Sequence, residues 1–370
     1  MSGAGGARPL AGVRVLDLTR LLPGPACTWY LQGLGAEVIR VEDPEGEDWA
    51  RRVPPLTRTG EGAWFAAVNA GKQSVHLDLK RPEGRAGLRR LLAGADVLIE
   101  GFRPGVMARL ELDPRGLCAE FPRLVLASLS GFGQEGPLRD APGHDLGYIG
   151  LTGALGVGAR HQGLPELPGL QVADLAGGAL TAALSITAAL LARERTGAGA
   201  WLDLSITEGT LALMAPILAA TAEGCPPLPG AEPLTGGLPV YGLYRCADGG
   251  VVAVAALEPK FQDALERGLA RALGRPVPLT QVAMTAAFAE RPRDEWCAAL
   301  ADACVTPALE PREVLDHPLH RARGSVVGHG REARVRPPFP GAEAEVLRPP
   351  PRPGQHTADW IGEGTGEDSG

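Results

Sequence analysis

The sequence predicts an α/β protein whose larger part is a doubly wound domain built on a parallel sheet. Three observations predict this class: short apolar runs, helical segments between them, and turn residues at their junctions. Short apolar runs bounded by turns are typical of strands that are buried on both faces. Strands that alternate with helices form parallel sheets through right-handed crossovers.

The pattern begins with a β-α-β unit near the N-terminus. Residues 13–18 (VRVLDL) are expected to form a buried strand, and Pro25 suits the first turn of a helix that ends near Gly33. Residues 36–41 form the second expected strand. Further strands are expected over residues 74–79, 96–100 and 124–130, with a helix over 85–93.

After residue 203 the pattern changes, which indicates a second, smaller α+β domain. Its clearest element is a hairpin over 244–256, because Asp248-Gly249 favours a tight β-turn. Helices are expected over residues 213–222, 260–273 and 293–301. The domain boundaries that we expect are a large domain over 1–205, completed by a tail over 331–370, and a small domain over 206–330.

Composition and charge narrow the class of protein. Apolar residues make up 45% of the 370, enough for a substantial core, and the net charge of −7 comes without a basic nucleic-acid-binding face. The alanine-rich stretch 175–192 is interpreted as a buried core helix rather than a membrane span. The N-terminus lacks the apolar segment of a signal peptide, and six scattered cysteines indicate reduced thiols. We therefore expect a cytoplasmic protein that binds no nucleic acid, associates with no membrane and has no metal site.

Common nucleotide-binding and hydrolase motifs are missing from the sequence. The turn after the first strand reads Leu-Leu-Pro-Gly-Pro, which lacks the glycines of the dinucleotide-binding G-x-G-x-x-G. Neither a P-loop nor a G-x-S-x-G nucleophile turn occurs. His317 and His320 are three residues apart, but no carboxylate–histidine cluster at metal-ligand spacing accompanies them.

Three residues could carry chemistry, although each also has a purely structural interpretation. His144 follows a Pro-Gly turn, Asp174 stands at the entry to the long helix, and Glu258 follows an apolar strand. Structurally, Asp145, Asp174 and Glu258 could each cap a helix, and His144 could be a hydrogen-bonding loop residue. A carboxylate at Asp174 would also be stabilised by the helix dipole, and two glycines in that first turn would let a backbone or a ligand come close.

Several sequence blocks are shared with one enzyme family: 10–18 (LAGVRVLDL), 23–25 (PGP), 34–42 (LGAEVIRVE), 69–74 (NAGKQS), 77–80 (LDLK) and 102–106 (FRPGV). On these blocks the chain resembles the family III (CaiB/BaiF) CoA-transferases over nearly its whole length. The resemblance implies a Rossmann-like large domain and a small α+β domain, in a homodimer of interlocked, ring-like subunits. It also implies coenzyme A as the carrier of the substrate, with no metal or redox cofactor.

The same resemblance implies which residues bind CoA. They are Leu77, Lys80, Gly101, Arg103 and Arg109. The three basic residues are expected near the CoA phosphates, the leucine near the adenine, and the glycine where the backbone needs room. Asp43 departs from the family pattern, because members often carry a basic residue at this position near the nucleotide.

The blocks around His144-Asp145 and Glu258 resemble the racemase branch of the family, and the block around Asp174 resembles the one that carries the aspartate used by both branches. That branch inverts the α-carbon of 2-methylacyl-CoA thioesters by 1,1-proton transfer through an enolate-like intermediate. The resemblance implies that His144 and Asp174 are the acid/base pair, that Glu258 of the partner subunit supports His144, and that the backbone amide of Asp145 stabilises the enolate oxygen.

Two alternatives remain at this stage. In a CoA-transferase that moves CoA between carboxylic acids, Asp174 would be a nucleophile that forms an aspartyl-CoA intermediate, and His144 would take no part. A non-catalytic acyl-CoA-binding scaffold is the third interpretation, and the retained His144, Asp174 and Glu258 argue against it. The sequence leaves the identity of the acyl group open.

Overall fold

The computed structural model of the chain describes residues 8–339 and 341–362, and it divides them into two compact units. The first unit contains residues 8–152, 169–213, 318–339 and 341–362, and the second contains 153–168 and 214–317. These boundaries differ from the expected ones in three segments. Residues 206–213 and 318–330 lie in the first unit, and 153–168 lie in the second. Residues 206–213 form a helix that packs on the helical segment that begins at Ala173, which explains their place in the first unit.

The first unit is built on a six-stranded parallel sheet. Its strands are β1 Arg14–Asp17, β2 Glu37–Glu42, β3 Gln73–His76, β4 Val97–Glu100, β5 Val125–Ser130 and β6 Ala200–Ser205. They are arranged in the order β3-β2-β1-β4-β5-β6, and every neighbouring pair is parallel. The predicted doubly wound α/β class is confirmed. The order reverses between β1 and β4, where Val15 lies opposite Val97.

Helices cover both faces of this sheet. They are α1 Pro23–Gly33, α2 Ala63–Asn69, α3 Pro82–Leu92, α4 Val106–Arg109, α5 Pro114–Glu120, α6 Asp145–Leu151, α7 Thr181–Thr196 and α8 Ile206–Leu213. A 3₁₀ turn, Trp49–Arg52, follows β2, and a π-helical segment, Ala173–Leu180, runs directly into α7. β4 and β5 are buried along their whole length, which accounts for their uninterrupted apolar sequences.

Buried ionic groups lie beneath the carboxyl ends of β1 and β2. Arg40 is 1% exposed, and its guanidinium donates to Asn69 Oδ1 at 2.9 Å and to Asp48 Oδ2 at 3.1 Å. Lys72 Nζ donates to Thr28 Oγ1 at 2.7 Å and lies 3.6 Å from Asp17 Oδ2. A buried charge is tolerated only when it is paired and hydrogen-bonded. These groups therefore connect α1 and α2 to the carboxyl ends of β1 and β2, and the guanidinium of Arg40 is already paired within this network.

The long helix is only partly buried, which corrects the expectation of a core helix. The segment Ala173–Leu180 packs against α1 and α8, and α7 packs against β5 and β6. On its other side Leu184 is 71% and Leu191 is 56% exposed. By length and apolar composition the continuous stretch Ala173–Thr196 could cross a membrane, and 39% of its most apolar window is buried. A core helix of a soluble protein gives the same signal.

The tail packs on the β3 edge of the sheet. His356 Nδ1 accepts from the backbone of Ser74 at 3.1 Å, and Thr357 Oγ1 accepts from the backbone of His76 at 2.9 Å. These side chains accept hydrogen bonds from backbone N–H groups of the edge strand β3, which have no further strand to pair with. The short elements of this region are Pro318–Ala322, Val326–Val327, Gly330–Glu332, Arg334–Val335, Glu343–Val346 and Thr357–Ile361.

The second unit contains a three-stranded antiparallel sheet. Its strands are β7 Tyr241–Arg245, β8 Val251–Ala255 and β9 Val305–Pro307, in the order β9-β8-β7. The predicted hairpin is β7–β8, with Asp248-Gly249 in its turn. Short strands and 3₁₀ turns lie at Ala154–Gly156, Arg160–His161, Leu164–Pro165 and Pro233–Thr235. The helices of this unit are Ala215–Ala222, Pro259–Leu273, Gln281–Phe288, Arg293–Ala299 and Pro311–Val314. Their core includes Tyr244, Phe288 and Trp296.

Candidate active site

Two cavities lie at the carboxyl ends of the parallel strands, in the first unit. The first cavity has a volume of about 370 Å³ and is lined by residues that follow β1, β4 and β5, together with His144 and Asp174. The second has a volume of about 470 Å³ and is lined by residues that follow β1, β2, β3 and β4. The residues that line both are Thr19, Arg20, Gly101, Phe102 and Arg103. These loops flank the point where the strand order reverses, which is where open α/β sheets bind their ligands.

His144 stands at the N-cap position of α6, in extended backbone conformation, and lines the first cavity. The glycine before it is required by packing, since a Cβ at Gly143 would lie 2.5 Å from the ring of Tyr148. Tyr148 is itself 7% exposed and lines the same cavity. The structure corrects the expectation for Asp145, which is the first residue of α6 and not its N-cap.

The carboxylate of Asp145 caps a different helix. Its Oδ1 accepts from the backbone N–H of Asp174 at 2.9 Å, at the start of the π-helical segment Ala173–Leu180. The N-cap of that segment is Val172, so the structural interpretation of Asp174 as an N-cap is wrong. Because this bond joins two helix N-termini, it brings the Asp174 side chain into the cavity that His144 lines.

The electrostatic surroundings raise the pKa of Asp174 to about 6. Partial burial is the largest cause and the negative charge of Asp145 adds to it, whereas a positive charge on His144 opposes it. The same two carboxylates, after burial, raise the pKa of Tyr148 to about 12, so its phenol stays protonated at neutral pH. A carboxyl group with a pKa near 6 can take up and release protons close to physiological pH.

The two glycines after Asp174 serve packing between helices, and a Cβ at the second, Gly178, would lie 3.2 Å from Ile206 Cγ1 on α8. A Cβ at Gly177 would lie 2.1 Å from Thr210 Oγ1 on α8, and a Cβ at Gly209 would lie 1.9 Å from the Gly177 carbonyl oxygen. The sequence suggested that these glycines make room for either a neighbouring backbone or a ligand, and the structure shows that the neighbour is the backbone of α8. The close approach fixes the start of the long helix, and with it Asp174, against the sheet.

Four of the five residues expected to bind CoA line the second cavity: Leu77, Lys80, Gly101 and Arg103. The fifth, Arg109, is exposed at the end of α4 and does not line it. A Cβ at Gly101 would meet no heavy atom closer than 3.6 Å, so packing within the protein does not require a glycine there.

Lys80 is not a free cation, because its Nζ lies 3.1 Å from Asp43 Oδ2. Sequence reasoning missed Arg20, which follows β1 and lines both cavities beside Arg103. Across residues 8–339 and 341–362, neither of these arginines has an ion-pair partner. The position of Arg20 could nevertheless have been predicted from the sequence, because a residue just after β1 of a doubly wound sheet lies at the strand-order reversal, where ligands bind.

Glu258 lies in the second unit, at the N-cap of the helix Pro259–Leu273. The structural interpretation is thus correct about its position, but the Glu258 side chain is exposed and makes no capping hydrogen bond. In the part of the chain that the structure describes, no group of three or more His, Cys, Asp or Glu could hold a metal ion. All six cysteines are free thiols.

Comparisons with a family model, with curated relatives and with solved structures all indicate the same protein family. The model of CoA-transferase family III matches residues 10–357. The human alpha-methylacyl-CoA racemase is 38% identical, with 97% of this chain and 92% of the relative covered. A succinate–glutarate CoA-transferase from Agrobacterium fabrum is 31% identical, with 96% and 95% covered. The crystal structure of a CAIB/BAIF family protein from Brucella suis is 30% identical and has a TM-score of 0.82, covering 95% of this chain and 98% of that one.

Proposed function

The chain belongs to CoA-transferase family III, a family of racemases and CoA-transferases, and from that premise we propose that it is a 2-methylacyl-CoA racemase. The proposed reaction inverts the α-carbon of a 2-methylacyl-CoA thioester by 1,1-proton transfer. The observation that carries the proposal is that His144 and Asp174 line one cavity at the strand-order reversal, with the pKa of Asp174 raised to about 6.

Inversion requires two acid/base groups in complementary protonation states. One removes the α-proton and the other returns a proton to the opposite face of the planar intermediate. Imidazole is the side chain whose ordinary pKa lies nearest neutrality. Asp174, with a pKa of about 6, is matched to such a partner. Each group is expected to contribute about 10²–10⁴-fold to the rate.

The enolate-like intermediate carries negative charge on the thioester oxygen. We assign its stabilisation to the backbone N–H of Asp145, because the first N–H groups of a helix have no partner within that helix. The Asp145 side chain is already bonded to the Asp174 backbone, which holds this first turn of α6 in place. Preorganised donors of this kind do not have to reorient during the reaction.

Coenzyme A is the proposed carrier of the acyl group. Arg20, Arg103 and Lys80 offer positive charge along the two cavities, and Leu77 offers an apolar contact. Arg109 remains a proposed contact to a phosphate from its exposed position on α4. The first cavity, with His144 and Asp174, would then hold the thioester and its α-carbon.

A homodimer and a cytosolic location belong to the proposal. In the expected interlocked dimer, Glu258 of the partner subunit would orient and charge His144. Exposed leucines on the long helix, namely Leu180, Leu184 and Leu191, support burial against another surface. Light scattering of the purified chain tests the dimer, and a monomer at micromolar concentration would remove this role of Glu258. Free thiols at all six cysteines suit a reducing compartment.

A CoA-transferase is the second candidate function, and the Asp174 carboxyl group favours it equally. Its side chain lies in the first cavity, where it could attack an acyl-CoA as a nucleophile. The attack would give a mixed anhydride and then an aspartyl-CoA thioester, from which CoA passes to a second acid. The likeness to the succinate–glutarate CoA-transferase supports this candidate.

Exchange of the α-proton with solvent tests the proposal directly. The protein is incubated with (2R)- or (2S)-2-methylacyl-CoA in deuterated water without an acceptor acid, and deuterium at C2 is followed by mass spectrometry. We expect incorporation with inversion, reduced by at least about 10²-fold in His144→Ala and in Asp174→Asn. His161→Ala and Asp140→Asn, both on exposed side chains, are the matched controls and should retain the rate.

The same experiment identifies the alternatives. Absence of exchange, together with CoA transfer when a carboxylic acid is added, would assign the transferase function. Binding of acyl-CoA without either reaction would leave a non-catalytic binding protein.

A further inference from the structure

A carboxylate and an ammonium group form an ion pair in the second cavity. Asp43 follows β2 directly, and Lys80 lies beyond the end of β3. Asp43 Oδ2 lies 3.1 Å from Lys80 Nζ, and its Oδ1 accepts from the backbone of Glu45 at 3.0 Å. Gly46 closes this turn, and a Cβ there would lie 3.0 Å from Asp43 Oδ2. The turn therefore holds the carboxylate in a fixed place beside the ammonium group.

Lys80 faces more negative charge than Asp43 alone. Asp43, Asp78 and Glu45 all hold the pKa of Lys80 above its ordinary value. By contrast, Arg20 and Arg103 have no ion-pair partner among the residues that the structure describes, and both line the junction between the two cavities. The two arginines at the junction therefore have no direct ion-pair partner, although the charge of Arg20 acts on Asp43 at longer range, whereas Lys80 at the far end is in direct contact with Asp43.

The orientation of CoA follows from the proposed function, on which this inference rests. If the thioester lies beside His144 and Asp174 in the first cavity, the junction receives the diphosphate and the second cavity receives the adenosine with its 3′-phosphate. In doubly wound folds a carboxylate at the end of the second strand accepts from ribose hydroxyls, whereas a basic residue there accommodates a ribose phosphate.

We propose that Asp43 is a specificity-determining residue that makes the second cavity nearly indifferent to the ribose 3′-phosphate. The free arginines at the junction bind the diphosphate that CoA and 3′-dephospho-CoA share. The 3′-phosphate gains little from Lys80, because Asp43 already occupies that cation and repels a second anion. CoA and 3′-dephospho-CoA should therefore bind the protein with similar affinities, within about threefold.

Isothermal titration of the full chain with CoA and with 3′-dephospho-CoA measures this selectivity. Asp43→Asn keeps the shape of the turn and frees Lys80, so it should tighten CoA by about tenfold and leave 3′-dephospho-CoA within about twofold. The gain should shrink at high ionic strength, because the Lys80 side chain is 66% exposed. Glu45→Gln is the matched control: it removes the same charge two residues away without breaking the Lys80 contact, and the ligand preference should change by less than about twofold.

A double variant assigns the effect to the ion pair. Asp43→Asn combined with Lys80→Ala should lose the gain for CoA, since no freed ammonium remains. A preference of wild type for CoA of more than about threefold, or an unchanged preference in Asp43→Asn, would overturn the inference while CoA binding itself stands. If wild type bound neither ligand, the proposed function would fall and this inference with it.

Discussion

Glu100 is a buried carboxyl group beneath the loop that lines both cavities. It ends β4 and is 2% exposed, and its Oε2 accepts from the backbone of Phe102 at 2.8 Å. Burial is the main cause that raises its pKa to about 7, from an ordinary value of 4.5. A hydrogen bond with Ser128 and the bond to Phe102 act in the opposite direction. Glu100→Gln should therefore stabilise the protein at alkaline pH.

The magnitude follows from proton linkage. Below pH 4.5 the carboxyl is protonated in the folded and unfolded states, so it costs nothing. As the pH rises toward 7 the unfolded state ionises first, and the folded state loses stability relative to it. The two pKa values differ by about 2.5, which corresponds to about 3 kcal/mol lost by pH 8. Glutamine keeps an acceptor for Phe102 and cannot ionise, so the variant should recover up to about 3 kcal/mol at pH 8 and little at pH 4.5.

Urea denaturation at pH 4.5, 6 and 8, followed by circular dichroism and by tryptophan fluorescence, measures this difference. Glu135→Gln, which neutralises an exposed carboxylate, is the control and should leave the free energy of unfolding within about 0.5 kcal/mol at every pH. The reasoning about Glu100 would be refuted if its variant changed the free energy of unfolding equally at all three pH values. Coincident transitions in the two signals would establish that one free energy describes the unfolding.

Three other perturbations have defined outcomes. Gly177→Ala should destabilise the protein by about 1–3 kcal/mol in urea denaturation, because its Cβ would lie 2.1 Å from Thr210 Oγ1 and 2.7 Å from the backbone nitrogen of that residue. Asp145→Asn keeps an acceptor for the Asp174 backbone but removes a charge that raises the pKa of Asp174. The inflection near pH 6 in the pH profile of kcat/KM should therefore move to lower pH. Asp145→Ala should shift the profile in the same direction and also cost about 1 kcal/mol of stability, because the backbone loses its acceptor. Arg20→Ala should weaken CoA binding by about tenfold in a titration and leave kcat within about twofold, since the residue lies where the two cavities join and is not one of the two proposed acid/base groups.

The strands of the large sheet were predictable because they are buried on both faces. The expected strands 13–18 and 124–130 are observed as Arg14–Asp17 and Val125–Ser130. The strand Ala200–Ser205 was missed, since the charged Asp203 interrupts its apolar run where it forms the sheet edge. An edge strand is covered less completely, and its sequence carries a weaker signal.

Features that depend on tertiary contacts lay beyond the sequence. The π-helical start of the long helix occurs where Gly177 meets Gly209, residues that no local pattern connects. The tail could equally have extended away from the domain, and only the hydrogen bonds of His356 and Thr357 to the β3 edge place it. In the site, the resemblance to a family suggested the proposed roles of His144 and Asp174, whereas the Asp145–Asp174 hydrogen bond is visible only in the fold.

The two candidate reactions make different demands on His144 but similar demands on Asp174. With a pKa of about 6, about a tenth of the Asp174 carboxyl groups are protonated at pH 7. That population serves a racemase, which needs a carboxyl able to give and take a proton, and the ionised majority serves a transferase, which needs a nucleophile. The imidazole beside it is required only for proton transfer at the α-carbon. Loss of His144 should therefore abolish α-proton exchange in a racemase and leave CoA transfer intact in a transferase, so His144, rather than Asp174, decides between them.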